Sequence, residues 1–346
     1  MAEITNATSL TALIEPVVFD QYVTEQVTNT NNLIQSGILG NDPILAGRLL
    51  AASRSVQLPY LNDLTGNAQE WNDETDITTE SLTSGQNEAM KLYQDKSYAA
   101  TDFGQLISGA PVIQQIVTRF TKFWVRQDMR QLLAVLETTF RNTDVATAKT
   151  FGVGTEADLS AGNFLAALSR MGDVSTPALN KIAVNSAAYF EMRKLNLIDD
   201  LQPSVGGAPI ASYNGMQIVQ DDDIPVNADG TTAAYIFAPG AVAYATATPA
   251  NGIVVARDEF KNGGEEAIIQ KRVATMQVNG TTIDNSVVAD AKDYQAKLFD
   301  GTSDVFKVAN DVRKLGVVKY SFKVAPEFVV TGINSPKAAA STAPKE

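Results

Sequence analysis

The stretch "PVIQQIVTRFTKFWVRQDMRQLLAVLETTFRN", residues 111–142, constrains the fold more than any other part of the chain. It contains no proline or glycine after Pro111, which suits a first helical turn. Ile113, Val117, Phe120 and Trp124 recur at helical spacing, as do Val125, Met129, Leu132, Leu136 and Phe140. At about 1.5 Å per residue the segment makes a rod of about 45 Å, well beyond the usual helix of about 11–12 residues. Its polar positions carry Arg119, Lys122, Arg126, Arg130 and Arg141 against Asp128 and Glu137. The face is therefore locally basic; solvated charges and salt bridges are the ordinary reading, and a nucleic-acid stripe is the rival.

That basic face stands out because the whole chain carries a formal charge of −12. An acidic surface opposes strong direct binding to nucleic acid, which needs clustered Lys and Arg to neutralise phosphates, so any contact with DNA should be weak and local. The chain of 346 residues has no cysteine and no histidine. Disulfides, thiolate nucleophiles, Cys/His zinc sites and imidazole bases are thereby removed. There is no GxxxxGK[ST] loop and no GxSxG elbow, so the residues suggest no reaction and no cofactor. No apolar run reaches the roughly 20 residues that span a bilayer, and the start "MAEITNATSLTALIEP" does not read as a signal peptide, which gives an expectation of a cytoplasmic protein with no membrane partner.

Around the helix the chain changes character several times. Residues 1–55 hold short amphipathic pieces, interrupted by Pro16 and Pro43, and read as an arm laid over a surface. Residues 67–97 are rich in Thr, Ser, Asn, Gln and charge, and read as a long exposed two-stranded excursion; a segment with so little to bury is usually functional. After "FGVGTEAD" come a helix in "LSAGNFLAALSRMGD" ending near Gly172, a buried strand "LNKIAVN", and a helix "SAAYFEMRKLNLID" opened by a capping Ser. Strands "GMQIVQ" and "AAYIFAPGAVAYA" follow. A long hairpin turns at Asn262, Gly263 and Gly264, "FKVANDVRKLGVVKYSFK" adds strand material, and "SPKAAASTAPKE" reads as a disordered tail.

Asp221, Asp222 and Asp223 form the most conspicuous cluster of carboxylates, between the apolar strand ending at Val219 and Pro225. A metal-dependent or acid/base hydrolase could be built on such residues. Consecutive strand residues point to opposite faces, however, so three adjacent Asp converge on one ion only if the turn folds sharply. The proline and the end of burial favour a solvated turn.

The order of arm, extended loop, single long helix, α/β unit and returning hairpin resembles the tailed-phage major capsid proteins with the HK97 fold. Local stretches resemble that family too: "ATDFGQLISGAP" before the long helix, "LSAGNFLAALSRMGDVSTPALNKIAVNSAAYFEMRKLNLID", "YNGMQIVQDDDIPV" and "AYIFAPGAVAYA". Asn185 stands where many relatives carry a histidine. The resemblance implies an α+β fold with an N-terminal arm (1–55), an E-loop (56–100), a P-domain with the spine helix (101–154) and an α/β A-domain (155–260). It further implies P-domain return strands (261–300), shell-completing strands (301–334) and the tail (335–346). The implied function is a non-enzymatic head protein that self-assembles as pentamers and hexamers into an icosahedral shell around double-stranded phage DNA, built in the host cytoplasm and resident in the virion. Portal, scaffold or decoration proteins are implied partners, and no cofactor or metal is implied. An encapsulin-type nanocompartment shell shares the fold and is the alternative; a carboxylate or metal-dependent hydrolase is the remote one. Trp71, Met90, Lys91, Tyr93 and Lys96 are the expected E-loop contacts between subunits, with Lys91 or Lys96 able to serve a covalent cross-link such as some relatives make. Asp221, Asp222 and Asp223 are expected in a loop near the capsomer axis, acting through repulsion, solvation or a shared cation.

Overall fold

The computed structural model describes residues 38–41, 43–61, 84–102, 112–152, 158–172, 181–201, 210–227, 229–260, 263–309 and 311–330, with isolated residues between 64 and 82. Pro16, Trp71, Pro111 and the tail fall outside this set. In chain order the first elements are β1 (Leu39–Asn41), α1 (Pro43–Leu49), β2 (Ser55–Leu61), β3 (Ser84–Met90), β4 (Leu92–Thr101) and α2 (Val112–Arg141). Then come α3 (Thr143–Lys149), β5 (Thr150–Phe151), α4 (Ala161–Ser169), β6 (Lys181–Val184), α5 (Ser186–Lys194), β7 (Asp199–Leu201), β8 (Ile210–Tyr213) and β9 (Met216–Gln220). The rest is β10 (Thr231–Phe237), β11 (Val242–Ala247), β12 (Ile253–Asp258), β13 (Glu265–Val278), β14 (Thr281–Ile283), α6 (Ala291–Phe299), β15 (Phe306–Val308) and β16 (Val317–Lys323).

The long helix forms as its periodicity predicts, over 30 residues. Phe120, Trp124, Leu132, Val135, Leu136 and Phe140 are buried along it. Asp128, counted above with the polar face, is instead 1% exposed. Pro43 opens α1 instead of breaking it, because its missing N–H falls where a helix has no acceptor.

Two sheets organise the molecule. One has the order β5-β16-β10-β6-β9-β8-β7; in the other β1, β11, β13 and β12 lie in sequence and β4 also pairs with β13. β10 is the seam between the two larger hydrophobic cores, a smaller one lying around α1. Its alternate residues Ala234 and Ile236 face the core made with α4 and α5, while Ala233, Tyr235 and Phe237 face the core under α2. A strand buried on both faces reads as a continuous apolar run, which "TTAAYIF" nearly is.

The run "AAYIFAPGAVAYA", taken above as one strand, is two. The chain turns at Pro239 and Gly240, where Gly240 has φ +63°, a conformation that favours glycine. β10 therefore pairs with β6 and β16, whereas β11 pairs with β1 and β13. Contiguous numbering cannot follow this topology: β11 and β12 fall inside 155–260 but join the sheet of β4 and β13, and β16, from 301–334, sits inside the α/β sheet. The N-cap of α5 is Asn185, one residue before the expected Ser; its side chain accepts from the Ala187 N–H.

Candidate functional site

Three features outside the apolar cores carry chemistry: the two-stranded ribbon β2–β3, the Asp loop, and a buried ionic cluster that ties β13, β4 and β11 to the long helix.

The ribbon is the antiparallel pair β2–β3, registered from Ser55 against Met90 to Leu61 against Ser84, and it forms a sheet of its own. Its base is held by polar contacts. Ser55 Oγ donates to Glu88 Oε1 (2.5 Å), Asn285 Nδ2 donates to Glu88 Oε2 (2.7 Å), and the Glu88 N–H donates to Thr282 Oγ1 (3.0 Å). Partial burial raises the Glu88 pKa, but the hydrogen bonds from Ser55 and Asn285 and the charges of Arg54 and Lys307 outweigh it and hold the carboxyl below its ordinary value. Toward the far end Leu61, Leu64 and Leu82 are 70%, 82% and 53% exposed.

The expected ribbon contacts separate into two groups. Met90 and Lys91 lie at the base and face the chain's own interior: Met90 is in the core under α2, and Lys91 is fully buried with Nζ donating to the Ala51 carbonyl (2.7 Å). Burial pushes the Lys91 pKa down. This side chain points into its own subunit, and β3 ends one residue before it, at Met90. Tyr93 and Lys96 lie on β4, where Tyr93 is exposed and the Lys96 ammonium sits over the rings of Tyr98 (5.4 Å) and Phe123 (5.9 Å). β4 pairs with β13 along its whole length and is part of the main sheet, not of the projecting ribbon.

The Asp loop is a turn, folded tightly against the start of α5. The Asp221 N–H continues the strand pattern by donating to the Val184 carbonyl (2.9 Å). The Asp223 N–H donates to Asp221 Oδ1 (3.0 Å), and the Ser186 N–H donates to Asp222 Oδ1 (3.0 Å). Asp222 thus places a carboxylate at the N-terminus of α5, where the helix dipole favours negative charge. Asn185 donates from Nδ2 to the Ile224 carbonyl (2.8 Å), and Ile224 and Val226 are buried, so the loop is anchored on both sides. Two of the three carboxylates are occupied with backbone N–H groups, and among the described residues no group of three potential ligands could hold a metal ion.

Asp221 differs from its neighbours. Burial raises its pKa to about 6; the Asp223 N–H opposes this, and the charges of Asp223 and Asp222 add to it. A carboxyl that ionises at about 6 when folded and near 3.9 when unfolded binds more protons in the folded state between those values. Stability therefore falls as pH rises from about 4 to about 6 and levels off above. Asp221→Asn keeps an oxygen for the Asp223 N–H and removes the buried charge, so it is expected to raise stability at pH 7.5 by about 2 kcal/mol and to flatten that pH dependence. Thermal melts of the unassembled chain from pH 4 to 8 check this; a variant less stable than the parent at pH 7.5 would reject the assignment.

The ionic cluster was not foreseen. Arg272 on β13 donates to both oxygens of Asp128 on α2 (Nη2 to Oδ1 2.6 Å, Nη1 to Oδ2 3.2 Å) and through Nε to Gln94 Oε1 on β4 (2.8 Å). Tyr244 on β11 donates its hydroxyl to Asp128 Oδ2 (2.8 Å). The guanidinium lies 4.1 Å from the ring centroid of Trp124, whose Nε1 donates to Gln270 (2.5 Å). Burial, with the adjacent Asp128 charge, pushes the Tyr244 hydroxyl far above its ordinary pKa, so it stays a donor. The one available signal was angular: Asp128 lies on the opposite side of α2 from Arg119.

Two solved structures share this architecture over nearly its whole length. The capsid of Ralstonia phage GP4 superposes with a TM-score of 0.54 at 10% identity, covering 94% of this chain and 96% of that one. A cyanophage Pam1 capsid asymmetric unit gives 0.52 at 13%, covering 94% and 100%. The fold is thus the mixed α+β fold of HK97-like phage capsids. No family model matches the chain. In sequence it is similar to the major capsid protein of Bacillus phage SPP1, 26% identical over 324 residues that make up 92% of this chain and 98% of that protein. Along nearly its whole length the chain is thus similar in sequence to a phage major capsid protein and in fold to phage capsids.

Proposed function

We propose that this protein assembles as pentamers and hexamers into an icosahedral shell that encloses double-stranded DNA, and that the β2–β3 ribbon reaches over a neighbouring subunit. The observation that carries the reading is the ribbon itself. It is pinned at its base, forms no sheet with any other of the described strands, and leads to Leu61, Leu64 and Leu82, which are largely exposed. Exposed apolar side chains on an extended element are what a surface completed by another copy requires. Closed shells repeat such head-to-tail contacts, so small contact energies sum over many copies.

Tyr93 is an exposed position on β4 that a neighbour could meet, Lys96 is half-buried on the opposite face against Phe123, and Trp71 remains an expected contact. The Asp loop would lie near the capsomer axis, where copies of Asp222 and Asp223 oppose one another; Asp222→Asn should then change the cation dependence of assembly. Portal, scaffold or decoration proteins complete the proposed set of partners. A net charge of −12 suits a wall that holds DNA loosely enough to be packed and released.

Expression of the chain alone, viewed by negative-stain electron microscopy, tests the reading: uniform shells, or pentamers and hexamers, are expected. A monomer at high concentration, with or without a scaffold protein, would overturn it. Particles that copurify with a foreign protein held by a short peptide, and contain no DNA, would favour a nanocompartment instead.

A further inference from the structure

We infer that the solvent face of α2 is the chain's contact for the phosphate backbone of the enclosed duplex, made by Arg119, Lys122, Arg126 and Arg130. The inference rests on the proposed enclosure of double-stranded DNA and names the surface that meets it. The four residues are separated by three, four and four positions, so at 3.6 residues per turn they lie within an arc of about 80° and along about 17 Å of the helix. All four are exposed. Among the described residues none of them has a carboxylate within ion-pair distance; Arg130 instead lies over the Phe299 ring at 5.4 Å, which leaves its charge uncompensated.

The fold removes the acid that would have balanced this face. Asp128, one of two acidic residues on the helix, points inward and is consumed by Arg272. Glu137, the other, shares the azimuth of the stripe but lies two turns past Arg130 and ends it. A row of cations with no carboxylate partner among the described residues, on a protein with 39 acidic and 27 basic residues, is a local reversal of sign. Exposed cations of one sign in a row raise their own energy by mutual repulsion, and a polyanion relieves it. Duplex DNA offers a phosphate on each strand about every 3.4 Å of helix axis, so about 17 Å of duplex supplies enough partners for four cations. The contact reads charge and not sequence, because nothing in it is arranged to reach base edges.

Two measurements test this. In DNA-filled heads Lys122 should be acylated about tenfold more slowly than in the same heads after the DNA has been expelled; equal labelling in both would overturn the inference. With a short duplex and the purified chain, four phosphate contacts give a salt slope of about −3.6, hence about 150-fold weaker binding at 200 mM than at 50 mM salt. Arg126→Gln with Arg130→Gln should reduce that ratio to about 12-fold, and replacing all four by Gln should nearly abolish it, with the melting temperature unchanged. An undiminished slope in the fourfold variant would reject the stripe while leaving the shell reading intact, and heads that contain no DNA would reject the enclosure itself. Loss of shells with duplex binding preserved would show that the face meets protein, and would overturn the inference.

Discussion

Asp128→Ala should destabilise the unassembled chain by about 3–5 kcal/mol, the usual consequence of removing one partner from a buried ion pair. The substitution leaves the Arg272 guanidinium in a pocket of protein with its charge uncompensated, and leaves the Tyr244 hydroxyl without its acceptor. Little could substitute for the lost carboxylate: Gln94 already accepts from Arg272 Nε, and Trp124 offers only the face of its ring. The cost is larger than that of a surface pair, about 0–1 kcal/mol, because water cannot reach the orphaned groups. Replacing both partners together, Asp128→Leu with Arg272→Met, should recover part of the loss, since it removes the uncompensated charge while the Tyr244 hydroxyl and the Gln94 amide still lose a partner. Urea unfolding of the parent, the single variant and the double variant provides the comparison. A single variant within about 1 kcal/mol of the parent would show that the cluster is more hydrated than its burial implies. The cluster joins α2 to β13, β4 and β11, so the loss should be felt by the whole five-stranded sheet and not by the helix alone.

The location of that cluster shows where reading a sequence stops. The long helix was legible because its period repeats over 30 residues, and the carboxylate turn because Pro225 follows a strand whose burial ends. Asp128 was placed with the solvated charges on residue type, although its angular position lies opposite the basic stripe. What decides its role is Arg272, 144 residues away, and no local pattern connects the two. The same limit applies to β10 and β11. "AAYIFAPGAVAYA" has the composition of one buried strand, and only the partners of each half show that Pro239 and Gly240 pass the chain from one sheet to the other. Lys91 was read as a solvent-facing loop residue because charge usually is; the Ala51 carbonyl that accepts from it becomes visible only once β2 has folded back. Of the expected ribbon contacts, Tyr93 keeps an outward position, Lys96 is half-buried against Phe123, Met90 faces the core, and Trp71 lies outside the described residues.

Leu61→Asp combined with Leu82→Asp is expected to abolish shells at concentrations where the parent assembles fully, while the fold of the single chain is untouched. Both side chains are more than half exposed in the isolated subunit, so substitution there should change its stability by no more than about 0.5 kcal/mol. In a shell each leucine buried by a neighbour contributes about 1.5–3 kcal/mol, and a carboxylate in its place adds the cost of desolvating a charge. Losing two such contacts per subunit removes at least about 3 kcal/mol, which at 1.4 kcal/mol per decade raises the assembly threshold by more than about 100-fold. Because every subunit carries the defect, no arrangement of the shell escapes it. Sedimentation velocity and negative-stain images across a concentration series read the threshold, and a thermal melt of the unassembled chain reads the fold. Normal shells at the parent's threshold would show that the ribbon's leucines meet solvent in the assembled head, and the contact between subunits would then have to be sought on the polar positions of β4.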